Sequence, residues 1–347
     1  MIIKKIEYTP YQIPLYKNFH NSRHTYSLSK GIIIQFIASE INSSKIIISQ
    51  GDVSPLDNFS KENIQEIDWG IQSFIAGIDF DSDYTFNEIL NLIKIHCSDL
   101  PSLHFALDTA LYDLHGQIQK LSIAKILNLD SADSIKLSDL YIPDSNVKSN
   151  SDCIIKYKLG TMHIDDDIQV INSIAQANTN ILFRFDANQA FNEKEFGLII
   201  KKLKHFNIDY FEEPMKTPSS KSFSQILNQF DINIAIDESL YNGSNYMNWI
   251  KQNLIHTVII KPSIYGGYKK FLDFCQVCND KNINIVLSSS LETGIGNLAT
   301  IHLAASLNND LSHGLNIHHF FNEFPYLPPY SNSASVVNIK NLIGLGL

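Results

Sequence analysis

Cysteine is scarce: four residues in 347, at Cys97, Cys153, Cys275 and Cys278. Cys275 and Cys278 form one CxxC in FLDFCQVCND. No second CxxC and no adjacent Cys/His pair completes a zinc site. The pair reads as two small apolar residues on one helix face, at i and i+3. The twelve histidines show no HxxxH spacing, and His318 and His319 read as structural or solvated. Long apolar runs are missing too. None reaches the roughly 18–20 residues of a membrane span. The start, MIIKKIEYTP, lacks the apolar core and cleavage pattern of a signal peptide. A cytoplasmic protein with no membrane partner is expected. Excess positive charge is also absent. The net charge of −9 argues against a nucleic-acid partner.

Six strand-like segments are present in the second two-thirds of the chain, and five of them end in a charge. They are CIIKYK with Lys156 and Lys158, ILFRFDAN with Asp186, and DYFEEP with Glu212 and Glu213. INIAIDES with Asp237, TVIIKP with Lys261 and INIVLSSS with Ser288 to Ser290 follow. These positions recur about every 24–28 residues, the length of one strand, one helix and two loops. The period implies successive βα units. The phase puts every polar group at the carboxyl end of its strand, where a parallel barrel opens on one face. A surface hairpin with charges alternating toward water does not explain this, because barrel strands see water only at their ends. An isolated buried charge costs several kcal/mol or more unless it is paired or bound to metal. Five such ends of both signs therefore point to a site.

Alternation decides which residues share a face. Lys156 and Lys158 do, and so do Arg184, Asp186 and Asn188. Only one of Glu212 and Glu213 can point inward, and only one of Asp237 and Glu238. Three carboxylates on neighbouring strand ends suit a hard divalent cation such as Mg²⁺, which takes oxygen ligands and keeps open positions. Lysines flanking such a cation suit removal of a proton next to a carboxylate. The combination welcomes a small anionic substrate.

The expected architecture is an α/β barrel of modified (β/α)7β TIM type over residues 101–320, with an N-terminal α+β domain at 1–100. Apolar alternation up to SKIIISQGDVSPL suggests a small antiparallel sheet, and residues 61–95 carry helical periodicity. The polar, aromatic segment YKNFHNSRHTYSLSK reads as a lid loop around 17–30 that covers the barrel mouth. LPSLHFALDTALYDLHGQIQK reads as a helix joining the domains. IKLSDLYIP is the first barrel strand, and DSNVKSNSD after it is too short and polar for a normal covering helix. GLNIHH is the eighth strand, and the tail at 321–347 packs back on the first domain.

Lys156-Tyr157-Lys158, RFDAN, FEEP, IDES, IIKP and SSSLETGIG, in that order, resemble the mandelate racemase/muconate-lactonising branch of the enolase superfamily. Within that branch the chain resembles the o-succinylbenzoate synthase family. GDVSPLDNFS, LPSLHFALDTALYDL and SSSLETGIGNLATIHLAA extend the likeness over about residues 10–320. The resemblance implies that Asp186, Glu212 and Asp237 bind Mg²⁺, with Mn²⁺ as a substitute, and that Asn188 and Glu238 orient these ligands. Lys158 would remove the proton and then protonate the departing hydroxide, with Lys156 beside it favouring the neutral form. Lys261 would stabilise the enolate from the opposite face, by cation–π contact with the ring. Arg184 and Ser288, Ser289 and Ser290 would meet substrate carboxylates, and Arg23 would close with the lid. The implied activity is that of a lyase of menaquinone synthesis. It dehydrates 2-succinyl-6-hydroxy-2,4-cyclohexadiene-1-carboxylate to 2-succinylbenzoate.

The chain departs from the family in three places. Asp52 replaces the usual glutamate after Gly51, the segment after the first barrel strand is short, and the lid lacks glycines. The nearest rival is a racemase or epimerase of N-acylamino acids or dipeptides, using Lys158 and Lys261 in a 1,1-proton transfer. SSSLETGIG lacks the Asp-x-Asp pair expected there for holding an α-ammonium. A muconate-type cycloisomerase and a non-catalytic barrel are further alternatives; the second would be marked by loss of a base or ligand position.

Overall fold

The computed structural model describes the chain except residues 21–24, 58, 81, 98, 143–152, 178–179 and 322–334, and except the side chains of 17–20. Arg23, the lid tip and the DSNVKSNSD connection lie outside the described residues.

The first domain is an antiparallel sheet ordered β1 (Ile2–His20), β2 (Thr25–Ser39), β3 (Ile46–Val53). Alternation along β2 puts Ile32, Ile34, Phe36 and Ala38 on one face, and all four are buried. Helices α1 (Ile64–Ala76), α2 (Phe86–Cys97) and α3 (Pro101–Gln119) cover that face. Asn63 opens α1 with a reciprocal capping box to Glu66. Ile67, Ile71 and Phe74 then form its buried stripe. The joining helix α3 begins at Pro101, a residue suited to a first turn. Leu103, Leu107, Leu111 and Leu114 pack in the first domain's core, while Phe105 belongs to the core of the second. The stretch read as a lid loop is instead the end of the β1–β2 hairpin, paired as far as Phe19↔Tyr26 and His20↔Thr25.

After α4 (Ile123–Leu127) the βα period begins. The first barrel strand is split by Ser138 into β4 (Ser134–Leu137) and β5 (Asp139–Leu140). Then come β6 (Ile154–Lys158), α5 (Ile164–Ala177), β7 (Leu182–Asp186), α6 (Glu193–Leu203), β8 (Ile208–Glu212) and α7 (Ser220–Leu227). β9 (Ile234–Ile236), α8 (Tyr246–Lys251), β10 (Thr257–Ile260), α9 (Pro262–Tyr265), α10 (Tyr268–Asn279), β11 (Asn284–Leu287), α11 (Gly294–Ser306) and β12 (Ser312–His313) complete it. Seven strands form one parallel sheet, ordered β11-β10-β9-β8-β7-β6-β5, that curls into a half-barrel. β12 lies between its edges, with a bridge Ser288↔Gly314 on one side and His313↔Leu137 on the other. It precedes the expected GLNIHH strand. The Leu315 carbonyl accepts from Asn297 Nδ2 of α11 at 3.2 Å rather than from a strand, which stops the ladder there.

Tyr210, Ala235, Ile259 and Val286 form a buried cluster in the sheet's concave side. Cys275 and Cys278 are buried on α10 and their thiols are pushed up by burial, to beyond the working range and to about 12 respectively, as inert core residues. The tail expected against the first domain divides its contacts. β13 (Val336–Asn338) pairs antiparallel with β4, while the Leu345 amide donates to Asp113 of α3 at 2.8 Å. Among the described residues no helix is long and apolar enough to cross a membrane.

Candidate active site

Each barrel strand delivers its polar residue at its last position or just beyond it. Lys158, Asp186 and Glu212 end β6, β7 and β8, while Asp237, Lys261 and Ser288 follow β9, β10 and β11. Parallel register aligns them, with Lys158↔Asp186 and Asp186↔Glu212 as direct neighbours. Lys158, Asp237, Lys261 and Ser288 line a cavity of about 100 Å³ at the carboxyl ends of the strands, while Asp186 and Glu212 are fully buried and paired with its lysines. Its floor includes Lys156, Lys158, Asn188, Asp237, Glu238 and Lys261. Both Asp237 and Glu238 reach it, against the expectation of only one, because β9 ends at Ile236 and a 3-10 turn at Glu238 replaces the strand alternation. Tyr26, Leu56 and Phe59 of the first domain and Leu140, Ile317 and Phe320 of the barrel supply apolar walls.

Charges alternate across the floor. Lys156 Nζ lies 2.8 Å from Asp186 Oδ2 and 2.7 Å from Glu212 Oε1, and Lys158 Nζ lies 2.6 Å from Asp186 Oδ2. Lys261 Nζ pairs with Asp237 Oδ2. Burial alone would depress the Lys156 ammonium, but Asp186 and Glu212 hold it well above the usual lysine value. Asp186 is driven up by burial, and Lys156 and Lys158 overcome this and hold it below the usual range. Glu212, fully buried beside the Asp186 charge, is pushed up to about 8. Asn188 links the neighbours. It accepts from Lys158 Nζ at 3.0 Å and donates to Glu238 Oε1 at 2.7 Å.

The donor set fits a divalent cation. Among the described residues Glu212 Oε2, Asp237 Oδ1 and Glu238 Oε2 are buried oxygens without a hydrogen-bond partner, which is costly unless something positive meets them. Three hard oxygen donors at adjacent strand ends are what Mg²⁺ prefers. No three carboxylates among the described residues already converge to hold a metal. Ammonium groups stand between them, since Lys156 Nζ bridges Asp186 and Glu212.

Lys261 faces Lys158 across the barrel, because β10 and β6 are separated by three strands. Its Nζ sits 4.6 Å from the centre of the Phe59 ring, a cation–π contact supplied by the first domain. The Tyr241 hydroxyl accepts from the Lys261 backbone at 2.8 Å and so steadies the strand end. Ser288 and Ser289 line the cavity. Ser290 does not: it is buried, 2.5 Å from Ser263 Oγ, and bonded to Glu292.

Arg184 corrects the expectation that it meets substrate. It points inward as the alternation requires, but one layer below the cavity. There its Nε donates to Asp209 Oδ2 at 2.8 Å, its Nη1 donates to the Ser312 carbonyl at 2.6 Å, and its guanidinium lies over Tyr210. A side chain so committed, and 2% exposed, closes the barrel floor.

Sequence reasoning missed Asp139. It opens β5, the last stretch of the first barrel strand, lines the cavity and accepts from Asn316 Nδ2 at 2.9 Å. The strand-end signal applied to SIKLSDL would have found it. It also left undefined what Asp52 does. That carboxylate accepts from the Thr293 amide and hydroxyl, both at 2.7 Å, and from the Tyr11 hydroxyl at 2.9 Å. It thereby ties the first domain to the start of α11, next to the serine loop.

A barrel whose strand ends carry lysines and carboxylates, capped by a second domain, defines a class of small-molecule site. The particular family follows from the sequence: the chain belongs to the enolase superfamily, with residues 153–347, more than half its length, matching the family "Enolase C-terminal domain-like". It is 25% identical over 319 residues to a hydrophobic dipeptide epimerase of Enterococcus faecalis, covering 89% of this chain and 88% of that one. It is 27% identical over 278 residues to an o-succinylbenzoate synthase of Shigella flexneri, covering 76% and 77%. A crystal structure of a dipeptide epimerase from Enterococcus faecalis, complexed with Mg and the dipeptide L-Leu-L-Tyr, shares the fold with a TM-score of 0.85. It is 23% identical and covers 100% of this chain and 99% of that one.

Proposed function

We propose that the protein catalyses the Mg²⁺-dependent syn dehydration of 2-succinyl-6-hydroxy-2,4-cyclohexadiene-1-carboxylate to 2-succinylbenzoate, on a (β/α)7β barrel. The observation that carries this reading is the position of Leu56 and Phe59. Both belong to the GDVSPLDNFS segment, which resembles the o-succinylbenzoate synthase family, and both line the cavity. The segment that carries the likeness thus faces the reacting group, with Phe59 against Lys261. Apolar walls around a charged floor suit a flat ring bearing a carboxylate.

Asp186, Glu212 and Asp237 would hold the cation, and Asn188 and Glu238 would orient them. When bound, Mg²⁺ supplies a Lewis acid beside the substrate carboxylate. Lys158 takes the proton α to that carboxylate, and the C–H electron pair becomes a ring π bond. The C–O bond breaks, and hydroxide leaves with the proton that Lys158 has just taken. One residue serving as base and then acid on one face makes the elimination syn. Lys156 adds positive charge beside the base, and Lys261 balances the charge that develops on the opposite side. Ser288 and Ser289 offer hydroxyl donors to the substrate's carboxylates.

The test is an ultraviolet assay of purified protein with Mg²⁺ and the cyclohexadiene carboxylate. Loss of the diene absorbance that yields succinylbenzoate and stops with EDTA is the expected result. No loss, in protein that binds Mg²⁺, overturns it.

Asp139 favours a second reading, dipeptide epimerisation. A carboxylate in the cavity wall suits a substrate α-ammonium, and the similarity to the Enterococcus faecalis epimerase spans more of the chain. Lys158 and Lys261, on opposite sides of the cavity, would then exchange one proton at a single carbon. Deuterium incorporation from deuterated water into a hydrophobic dipeptide is its measurement.

A further inference from the structure

We propose that Glu213 is a positioning residue: it locks three consecutive strand ends together and so sets the affinity of the site for its divalent cation. The inference rests on the cation reading of Asp186, Glu212 and Asp237.

Strand alternation sends Glu212 into the barrel and its neighbour away from it. Glu213 is 1% exposed and does not line the cavity. A buried carboxylate away from the chemistry needs partners, and this one has four donors. Its Oε1 accepts from the backbone amides of Asp237 at 2.8 Å and Ser239 at 2.7 Å. Its Oε2 accepts from Gln189 Nε2 at 2.8 Å and from Ser239 Oγ at 2.9 Å.

These donors come from the strand ends on either side. β9 has only three residues and pairs with β8 at Phe211↔Ile234 and Glu212↔Ala235, so the ladder stops before Asp237. Beyond that point the Glu213 carboxylate takes the place of the ladder and fixes the peptide of Asp237. On the other side, β7 ends at Asp186, and the chain turns through Asn188 and Gln189 with φ of 41° and 63°. Gln189 is held to Glu213 twice, by its side chain and by its amide, which donates to the Glu213 carbonyl at 2.6 Å. Glu213 itself has φ of 42°. Three non-glycine residues in left-handed backbone at the ends of two adjacent strands need their surroundings to hold them there. The same carboxylate thus governs the spacing of the strand ends that carry Asp186, Glu212 and Asp237.

The experiment titrates full-length protein with Mg²⁺ alone by calorimetry, without substrate, in wild type, Glu213→Ala and Glu213→Gln. Circular dichroism checks the fold of each. Loss of the two acceptor oxygens and their four hydrogen bonds in the alanine variant is expected to weaken Mg²⁺ binding at least about tenfold. Glutamine keeps an oxygen for the two backbone amides, so it is expected to restore affinity to within about threefold. Mg²⁺ affinity in Glu213→Ala equal to wild type overturns the inference, and so does a glutamine variant as weak as the alanine one. If the alanine variant fails to fold, Gln189→Ala and Ser239→Ala each remove one donor and are expected to weaken binding about threefold. Unchanged affinity in both overturns the inference. Wild-type protein that binds no Mg²⁺ is a different failure: it removes the cation reading itself, and this inference with it.

Discussion

Lys158 Nζ meets Asp186 Oδ2 at 2.6 Å, across a direct register pair of adjacent parallel strands. The proposed base and a proposed cation ligand are therefore neighbours by register alone. Their separation depends on the β6–β7 ladder, not on a flexible loop.

Replacing Lys158 with alanine removes the proposed base but leaves all three carboxylates. Turnover of the diene is expected to fall at least about a thousandfold, while Mg²⁺ binding persists. Steady-state rates and a Mg²⁺ titration of the same sample measure both. A near-normal rate would remove Lys158 from the role.

Mg²⁺ is expected to stabilise the folded protein by mass action, about 2.7 kcal/mol at a hundredfold excess over its dissociation constant. Thermal melts with Mg²⁺ or with EDTA test this. In Asp186→Asn and Asp237→Asn the upward shift should shrink or vanish. An equal shift in those variants would place the cation elsewhere.

Asp139→Asn separates the two reactions. It removes a negative charge from the cavity wall while the amide can still bond Asn316. Activity on the dianionic cyclohexadiene carboxylate is expected to stay level or rise, with KM the parameter that moves. Epimerisation of a dipeptide should drop about tenfold or more through lost ammonium pairing. A drop in dehydration alone would contradict the preferred reading.

Burial pushes the Asp52 carboxyl up to about 6, although Thr293 and Tyr11 donate to it and pull it down. The folded state therefore holds this proton more tightly than the unfolded chain, whose carboxyl has the ordinary value of 3.8. The sign follows from linkage. The contribution of Asp52 is greatest below the unfolded value and is lost as pH rises through about 6. Relative to Asp52→Asn, the wild type should gain at most about 3 kcal/mol of stability between pH 7 and pH 4. Denaturant melts of both proteins at several pH values measure it, and parallel curves would disprove it.

Much of the site was legible in the chain. The strand-end charges, their spacing and the shared faces of Lys156 with Lys158 and of Asp186 with Asn188 follow from local periodicity. The helices α5, α6, α7, α8, α10 and α11 fall between successive charged strands, as the period of βα units implies. The eighth strand was misplaced because its ladder is ended by Asn297, a side chain of α11 that no local pattern reveals.

Sequence alone determined the order of βα units, the arrival of charge at each carboxyl end and which neighbours share a face, since these depend on residues a few positions apart. Tertiary structure decided the rest. It chose the inward member of the Glu212–Glu213 pair and gave Glu213 its four donors. It lodged Arg184 against Asp209 and Ser312, below the cavity. It brought Phe59 from the first domain onto Lys261 and Asp139 into the cavity wall. The physical reason is that each of these contacts joins chain segments brought together only when the strands curl into one sheet and the first domain docks on it. Inward and outward directions are local properties of a strand; what a side chain meets there is not.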